Sequence, residues 1–168
     1  MKEKDTRVII IEIILTIVAV GQIVLCFILY NKNGNSIVRN IGWIVLWISA
    51  IFGWLPIYTF KKYGKVQKGK AYVHTTQLVD KGVYAIVRHP QYLAGILLAI
   101  ALLLIAQHWL IGILGIVLIF IYYENTYDEE KKVIEKIGED YKQYIKKVPR
   151  LNFILGIIRC LHKPQINE

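Results

Sequence analysis

Residues 8–30 read VIIIEIILTIVAVGQIVLCFILY, and Glu12, Cys26 and Tyr30 are the only ionisable side chains in that run of 23. A helix needs about 20 apolar residues to cross a bilayer, so this stretch decides the fold class. Outward from it the same block pattern returns. Ile41–Phe60 carries no charge, and Tyr92–Tyr123 is apolar except for Gln107 and His108 in its middle. The 168 residues are 55% hydrophobic yet include 21 Lys and Arg against 12 Asp and Glu. A soluble domain mixes apolar and charged residues along each element; here they separate into long blocks. The expectation is an all-α integral membrane protein with about four transmembrane helices and a cytoplasmic C-terminal helical extension. The first run is too long for a signal-peptide core and no small-x-small cleavage site follows it, so it reads as an anchor that stays.

Basic residues set the expected orientation. Lys2, Lys4 and Arg7 precede the first span, and Lys32 and Arg39 follow it. Lys61, Lys62, Lys65, Lys68, Lys70, Lys81 and Arg88 fill the segment after the second, and nine more follow Tyr123. None lies between residues 92 and 123. The positive-inside rule places residues 61–91 and 124–168 in the cytoplasm, with both termini on that side. A net charge of +9 beside membrane helices meets anionic lipid head groups, so membrane lipids are expected as partners and nucleic acid is not. Cys26 and Cys160 make no disulfide framework.

Two N-terminal spans occupy residues 1–60, joined by the polar turn Asn31–Ser36. Residues 61–168 form the second region: a cytoplasmic loop, a helical hairpin over 92–123, and C-terminal cytoplasmic helices. Pro90 suits the first position of the third span, where its missing N–H is harmless. The hairpin helices have about 15 apolar residues each, or ~22 Å at 1.5 Å per residue, short of the ~30 Å hydrocarbon core. Val133, Ile137, Tyr141, Tyr144 and Val148 recur at helical spacing, so one helix is expected to run well past Tyr123. Ala71–Val79 contains Val, Thr and Tyr without a deciding period. Leu151–Leu161 mixes apolar residues with Arg159 and suits a membrane surface.

Chemistry concentrates in two clusters on the expected cytoplasmic side. The first is Gly82-Val83-Tyr84-Ala85-Ile86-Val87-Arg88-His89-Pro90-Gln91-Tyr92. The second runs from Glu129-Glu130 through Gly138, Tyr141 and Tyr144 to Val148-Pro149-Arg150. A G-x-Y-x-x-x-R-H-P-x-Y segment, then a hairpin, then E-E-x(7)-G-x-x-Y-x-x-Y-x-x-x-V-P-R resembles the C-terminal half of the isoprenylcysteine carboxyl methyltransferase and phospholipid methyltransferase superfamily. The resemblance covers roughly residues 74–150, and order and spacings both agree. Ala94 stands where many relatives carry Gly, and Ile137 where an aromatic is usual.

The resemblance implies a membrane methyltransferase that binds S-adenosylmethionine at the cytoplasmic face and releases S-adenosylhomocysteine. It implies a cofactor pocket of Gly82, Val83, Tyr84, His89, Pro90, Tyr92, Leu93, Glu129, Glu130 and Tyr141, with Arg88 and Glu130 near the transferred methyl and no metal. The acceptor it implies is a lipid, or a prenylated or otherwise lipidated group, entering from the bilayer. Isoprenylcysteine carboxyl methylation is the type activity and phospholipid amine methylation the nearest sibling. Membrane sterol reductases share an Arg-His-Pro-x-Tyr segment, but they are usually much longer.

The residue chemistry agrees with these roles. Carboxylates suit an ammonium or ribose hydroxyls, aromatic faces attract a sulfonium, and a helix start offers N–H groups to a carboxylate. Arg88 can hold a carboxylate acceptor through a bidentate pair, whereas an amine acceptor needs Glu130 or His89 as base. Plainer roles stand beside these. Arg88 can be a positive-inside anchor, His89 a cap, Glu129-Glu130 a solvated pair, and Tyr141 and Tyr144 packing residues, while Pro149-Arg150 ends the long helix.

Overall fold

The computed structural model describes residues 2–64 and 78–162. Lys65, Lys68, Lys70 and most of the Ala71–Val79 segment lie outside the described residues. Among the described residues the chain is helical without strands: α1 (Lys2–Ile28), α2 (Ser36–Tyr63), a short 3-10 turn (Gly82–Ala85), α3 (Pro90–Ala106), α4 (Trp109–Ile137), α5 (Glu139–Lys147) and α6 (Phe153–Leu161).

The polar turn behaves as its composition dictates. Asn35 caps α2, its Oδ1 accepting from the Ile37 and Val38 amides at 2.8 and 3.2 Å. α3 begins at Pro90 as expected. α4 does run on past Tyr123, but it ends at Ile137. Gly138, at φ 77°, breaks the single long helix that the apolar stripe suggests, and α5 follows as a separate element.

Three helices are long and apolar enough to cross a membrane: Ile9–Ile28 of α1, Ser36–Tyr63 and Trp109–Ile137. α3 is apolar but has 17 residues, about 26 Å at 1.5 Å each, so it stays short of the ~30 Å hydrocarbon core, as its apolar length in the sequence suggests. Large apolar side chains stand exposed along these helices, Phe27 at 80% and Trp54 at 77% among them. Such a surface has no place in water and suits hydrocarbon. The chain is an integral membrane protein.

Two compact units make up the chain. One comprises residues 1–49 and 95–124; the other comprises 50–94 and 125–168. The core of the first is Cys26, Leu102, Ile105, Ala106 and Ile111. Small residues let its helices close up: Gly42 lies against Leu104 and Ile105, and Gly95 against the Tyr122 ring. Gln22 is sealed within this unit and donates to the backbone oxygens of Ala99 and Ile111. The core of the second unit is Tyr141, Tyr144 and Val148, packed with Leu78, Val133, Ile134, Ile137 and Ile145. The whole stripe anticipated from spacing therefore faces one core even though the helix carrying it is broken.

Candidate active site

The apolar part of α4 ends at Tyr123. Glu124–Ile137 carry eight charged side chains, a charge density that hydrocarbon does not accommodate. Glu130 projects from this extension and is buried, whereas the Glu129 side chain is 44% exposed. Adjacent residues on a helix point about 100° apart, which is why one of the pair turns inward and the other does not.

Three basic side chains converge on Glu130. Arg88 Nη1 lies 2.7 Å from Oε1, and His89 Nε2 lies 3.1 Å from the same oxygen. Arg150 approaches as a fork, Nε donating to Oε1 at 3.1 Å and Nη2 to Oε2 at 2.6 Å. The Arg150 guanidinium also stacks 3.6 Å above the Tyr127 ring centroid. Burial raises the Glu130 carboxyl pKa, but hydrogen bonds from His89 and Arg150 and the charges of Arg88 and Arg150 outweigh it and hold the group at about 2. Glu130 is therefore ionised throughout the physiological range. An ionised carboxylate only accepts, so His89 Nε2 carries the proton and Nδ1 is left facing Glu129, 3.9 Å from Oε2.

Backbone pairing holds these side chains in register. The Arg88 amide donates to the Pro149 carbonyl at 3.0 Å, and the His89 amide to the Arg150 carbonyl at 3.2 Å. Both amides precede the Pro90 helix and lack intrahelical partners, so the segment after α5 supplies them. Gly82 opens the 3-10 turn at φ 61° with its Cα face against Thr59, where a Cβ would collide. Tyr144 donates its hydroxyl to the Tyr84 carbonyl at 2.6 Å. Burial, with Glu130 close by, pushes the Tyr141 hydroxyl up to about 12, and burial lifts Tyr144 above the ordinary tyrosine range. Both stay protonated as packing and donor groups.

A cavity of about 170 Å³ borders this cluster and is lined by Tyr84, Arg88, His89, Pro90, Tyr92, Glu129 and Tyr141 among others. Gly82, Val83, Leu93 and Glu130 are not in its lining. Val83 and Leu93 are core residues, and Glu130 stands behind Arg88 and His89. Phe60, Gln91, Val133, Lys136 and Ile137 join the lining, none of them assigned to the cofactor pocket from sequence. A larger cavity of about 320 Å³ shares only Leu78 and Tyr144 with the first and holds none of Arg88, His89 or Glu129, so the smaller one is the candidate site. Arg150, read from sequence as a helix terminator, proves central to the cluster. Its place in the V-P-R end of the second motif is the one sequence signal that could have marked it.

An unfilled capacity remains. Arg88, with its side chain only 8% exposed, has no hydrogen-bond partner for Nε, and Nη1 makes its ion pair without a hydrogen bond. A buried donor that is left over costs about 1–3 kcal/mol, and Arg88 is one of the residues that line the cavity.

These features define a membrane protein, helical throughout its described residues without strands, with a buried ionic cluster beside a cavity at a helix start. A family model described as phospholipid methyltransferase matches residues 38–140, and the chain belongs to that family. It is 34% identical over 94 residues to the protein-S-isoprenylcysteine O-methyltransferases of Mus musculus and Homo sapiens, covering 55% of this chain and 32% of theirs. The Schizosaccharomyces pombe protein of the same name is 30% identical over 93 residues, covering 50% of this chain and 39% of its own. The chain thus aligns with about a third of the length of these relatives. No solved structure matches it.

Proposed function

We propose that the chain transfers a methyl group from S-adenosylmethionine to a carboxylate on a lipid-bearing acceptor, as an isoprenylcysteine carboxyl methyltransferase does. In this reading the site lies at the cytoplasmic face of the membrane, both termini share that side, and α3 and α4 form a membrane hairpin as third and fourth spans. The basic residues in the first turns of α1, at the end of α2 and beyond Tyr123 support the orientation.

The cavity residues fit the methyl donor by their chemistry. Glu129 would take its ammonium or ribose hydroxyls. The rings of Tyr84, Tyr92 and Tyr141 would face adenine or sulfonium, and the first turn of α3 would offer N–H groups to its carboxylate. When bound, S-adenosylmethionine supplies an electrophilic methyl carbon.

The observation that carries the acceptor class is the state of the cluster. Glu130 is saturated by Arg88, His89 and Arg150 and held near 2, so it is a poor base at neutral pH. A carboxylate nucleophile needs no base, only alignment and exclusion of water. Arg88, which lines the cavity and has hydrogen-bonding capacity unfilled, would hold that carboxylate, while Glu130 and Arg150 keep the guanidinium in place. The family description favours a second reading, an amine acceptor, for which His89 Nδ1 beside Glu129 would take the proton.

Calorimetry on detergent-purified protein tests the donor: S-adenosylmethionine and S-adenosylhomocysteine are expected to bind and NADPH is not. Radiolabelled methyl transfer to farnesylcysteine and, separately, to phosphatidylethanolamine then tests the acceptor. Label on the first alone is expected; label on the second alone would replace the carboxylate reading, and NADPH binding alone would replace both.

A further inference from the structure

α6 is nine residues long, FILGIIRCL. Ile154, Leu155, Ile157, Ile158 and Leu161 are all exposed on it, leaving Arg159 and Cys160 as its only non-apolar side chains besides Gly156. The depth of each end can be judged from what the helix touches. At its start, the Phe153 ring meets Phe52 of α2 edge-to-face, centroids 5.3 Å apart. Phe52 stands inside the chargeless run Ile41–Phe60, nine residues before Lys61, or about 13 Å along a helix at 1.5 Å per residue. Next, Gly156 seats against the Ile86 carbonyl, a fit that leaves no room for a Cβ. At its end, Arg159 donates to the Lys147 carbonyl at 3.1 Å, and His162 closes the helix. The contacts thus run from an apolar level to a cationic one.

The capping agrees with that gradient. A helix start in hydrocarbon must satisfy its own amides, because no water is there to do it. Asn152 Oδ1 accepts from the Leu155 amide at 3.0 Å, the Asn152 carbonyl from Gly156 at 3.1 Å, and the Leu151 carbonyl from Phe153 at 3.0 Å. Three of the first four amides of α6 are thereby paired locally.

We propose that α6 slants into the host bilayer, with its Phe153 end among the acyl chains and its Arg159 end at the head groups. This departs from the surface-lying segment expected from sequence. Because Gly156 is locked to Ile86, two residues before Arg88, the slant sets the depth at which the cationic cluster meets lipid. The proposal does not depend on the methyl-transfer reading.

Spin labelling tests it. Cys26 and Cys160 are replaced by Ser, and single cysteines are placed at Ile154, Ile157 and Leu161 for a nitroxide. The protein is reconstituted in phosphatidylcholine–phosphatidylglycerol vesicles. The ratio of oxygen to nickel-chelate accessibility is expected to be highest at residue 154 and to fall by several-fold toward residue 161. Three outcomes overturn the proposal: nickel-chelate access at all three positions places α6 in water, an equal high oxygen ratio at all three lays it flat at one depth, and exclusion of both reagents means another protein surface covers it.

Discussion

Gln22 and Glu130 are both polar side chains shut away from solvent, at 1% and 5% exposure, and their surroundings treat them differently. In the first unit the Gln22 amide divides its two N–H bonds between the carbonyls of Ala99 and Ile111. Both carbonyls belong to helices, and nothing in that arrangement awaits a partner. In the second unit one carboxylate gathers three cationic or potentially cationic side chains, and Arg88 still has a donor to spare. A buried polar group whose bonds close among themselves holds helices together. One whose neighbours carry surplus capacity points to a missing ligand.

The comparison breaks first at Glu130. Replacing it with Ala strands Arg88 and Arg150 without a counter-charge, a change that typically costs about 3–5 kcal/mol. Thermal unfolding in detergent should fall accordingly, and S-adenosylmethionine binding should be lost by calorimetry. Acid provides the same test without truncation. The Glu130 pKa is lowered in the folded chain, from 4.5 to about 2, so its contribution is complete above pH 4.5 and disappears as pH falls toward 2. The melting difference between the wild type and Glu130→Gln should be flat above pH 5 and close below it. A difference that does not change down to pH 2 would mean the carboxylate gains nothing from its partners.

Arg88→Ala comes next in size. With the donor pocket intact, affinity for S-adenosylmethionine should stay within about threefold while turnover falls about 100-fold, the scale of a lost alignment contact. Equal loss in both would move Arg88 from acceptor to donor. Arg150→Lys is expected to cost less, about tenfold in turnover, because lysine keeps the charge but loses the fork and the stack on Tyr127. Normal turnover would show that Arg150 serves the backbone pairing alone. The smallest effect belongs to Gln22→Leu, no more than about 1 kcal/mol for hydrogen bonds between membrane helices, with ligand binding untouched. A large drop in ligand affinity there would erase the contrast between the two groups.

Much of this was legible from local pattern. The apolar blocks gave α1 and α2, Pro90 gave the start of α3, and the stripe from Val133 to Val148 identified the residues of one core. The break at Gly138 stayed hidden because the 4-3-4 spacing of Ile137, Tyr141, Tyr144 and Val148 continues across it; the backbone turns while the apolar face stays in phase. Arg150 was missed for another reason. Its role depends on pairing between residues 88–89 and 149–150, and no local periodicity reports a contact so distant in sequence. The Glu129-Glu130 pair was found, but only packing could say which of the two turns inward.

The ion pair between Arg88 and Glu130 also has a history within each molecule's synthesis. Arg88 leaves the ribosome 42 residues ahead of its counter-charge, a lag of about 2–8 s at 5–20 residues per second. In the proposed orientation, Arg88 is during that interval one more positive charge beside Lys61, Lys62 and Lys81, resisting translocation of the loop that bears it. On that reading Glu130 then arrives and converts a topogenic signal into part of the site, so the same guanidinium would first orient the chain and afterwards hold the cluster together.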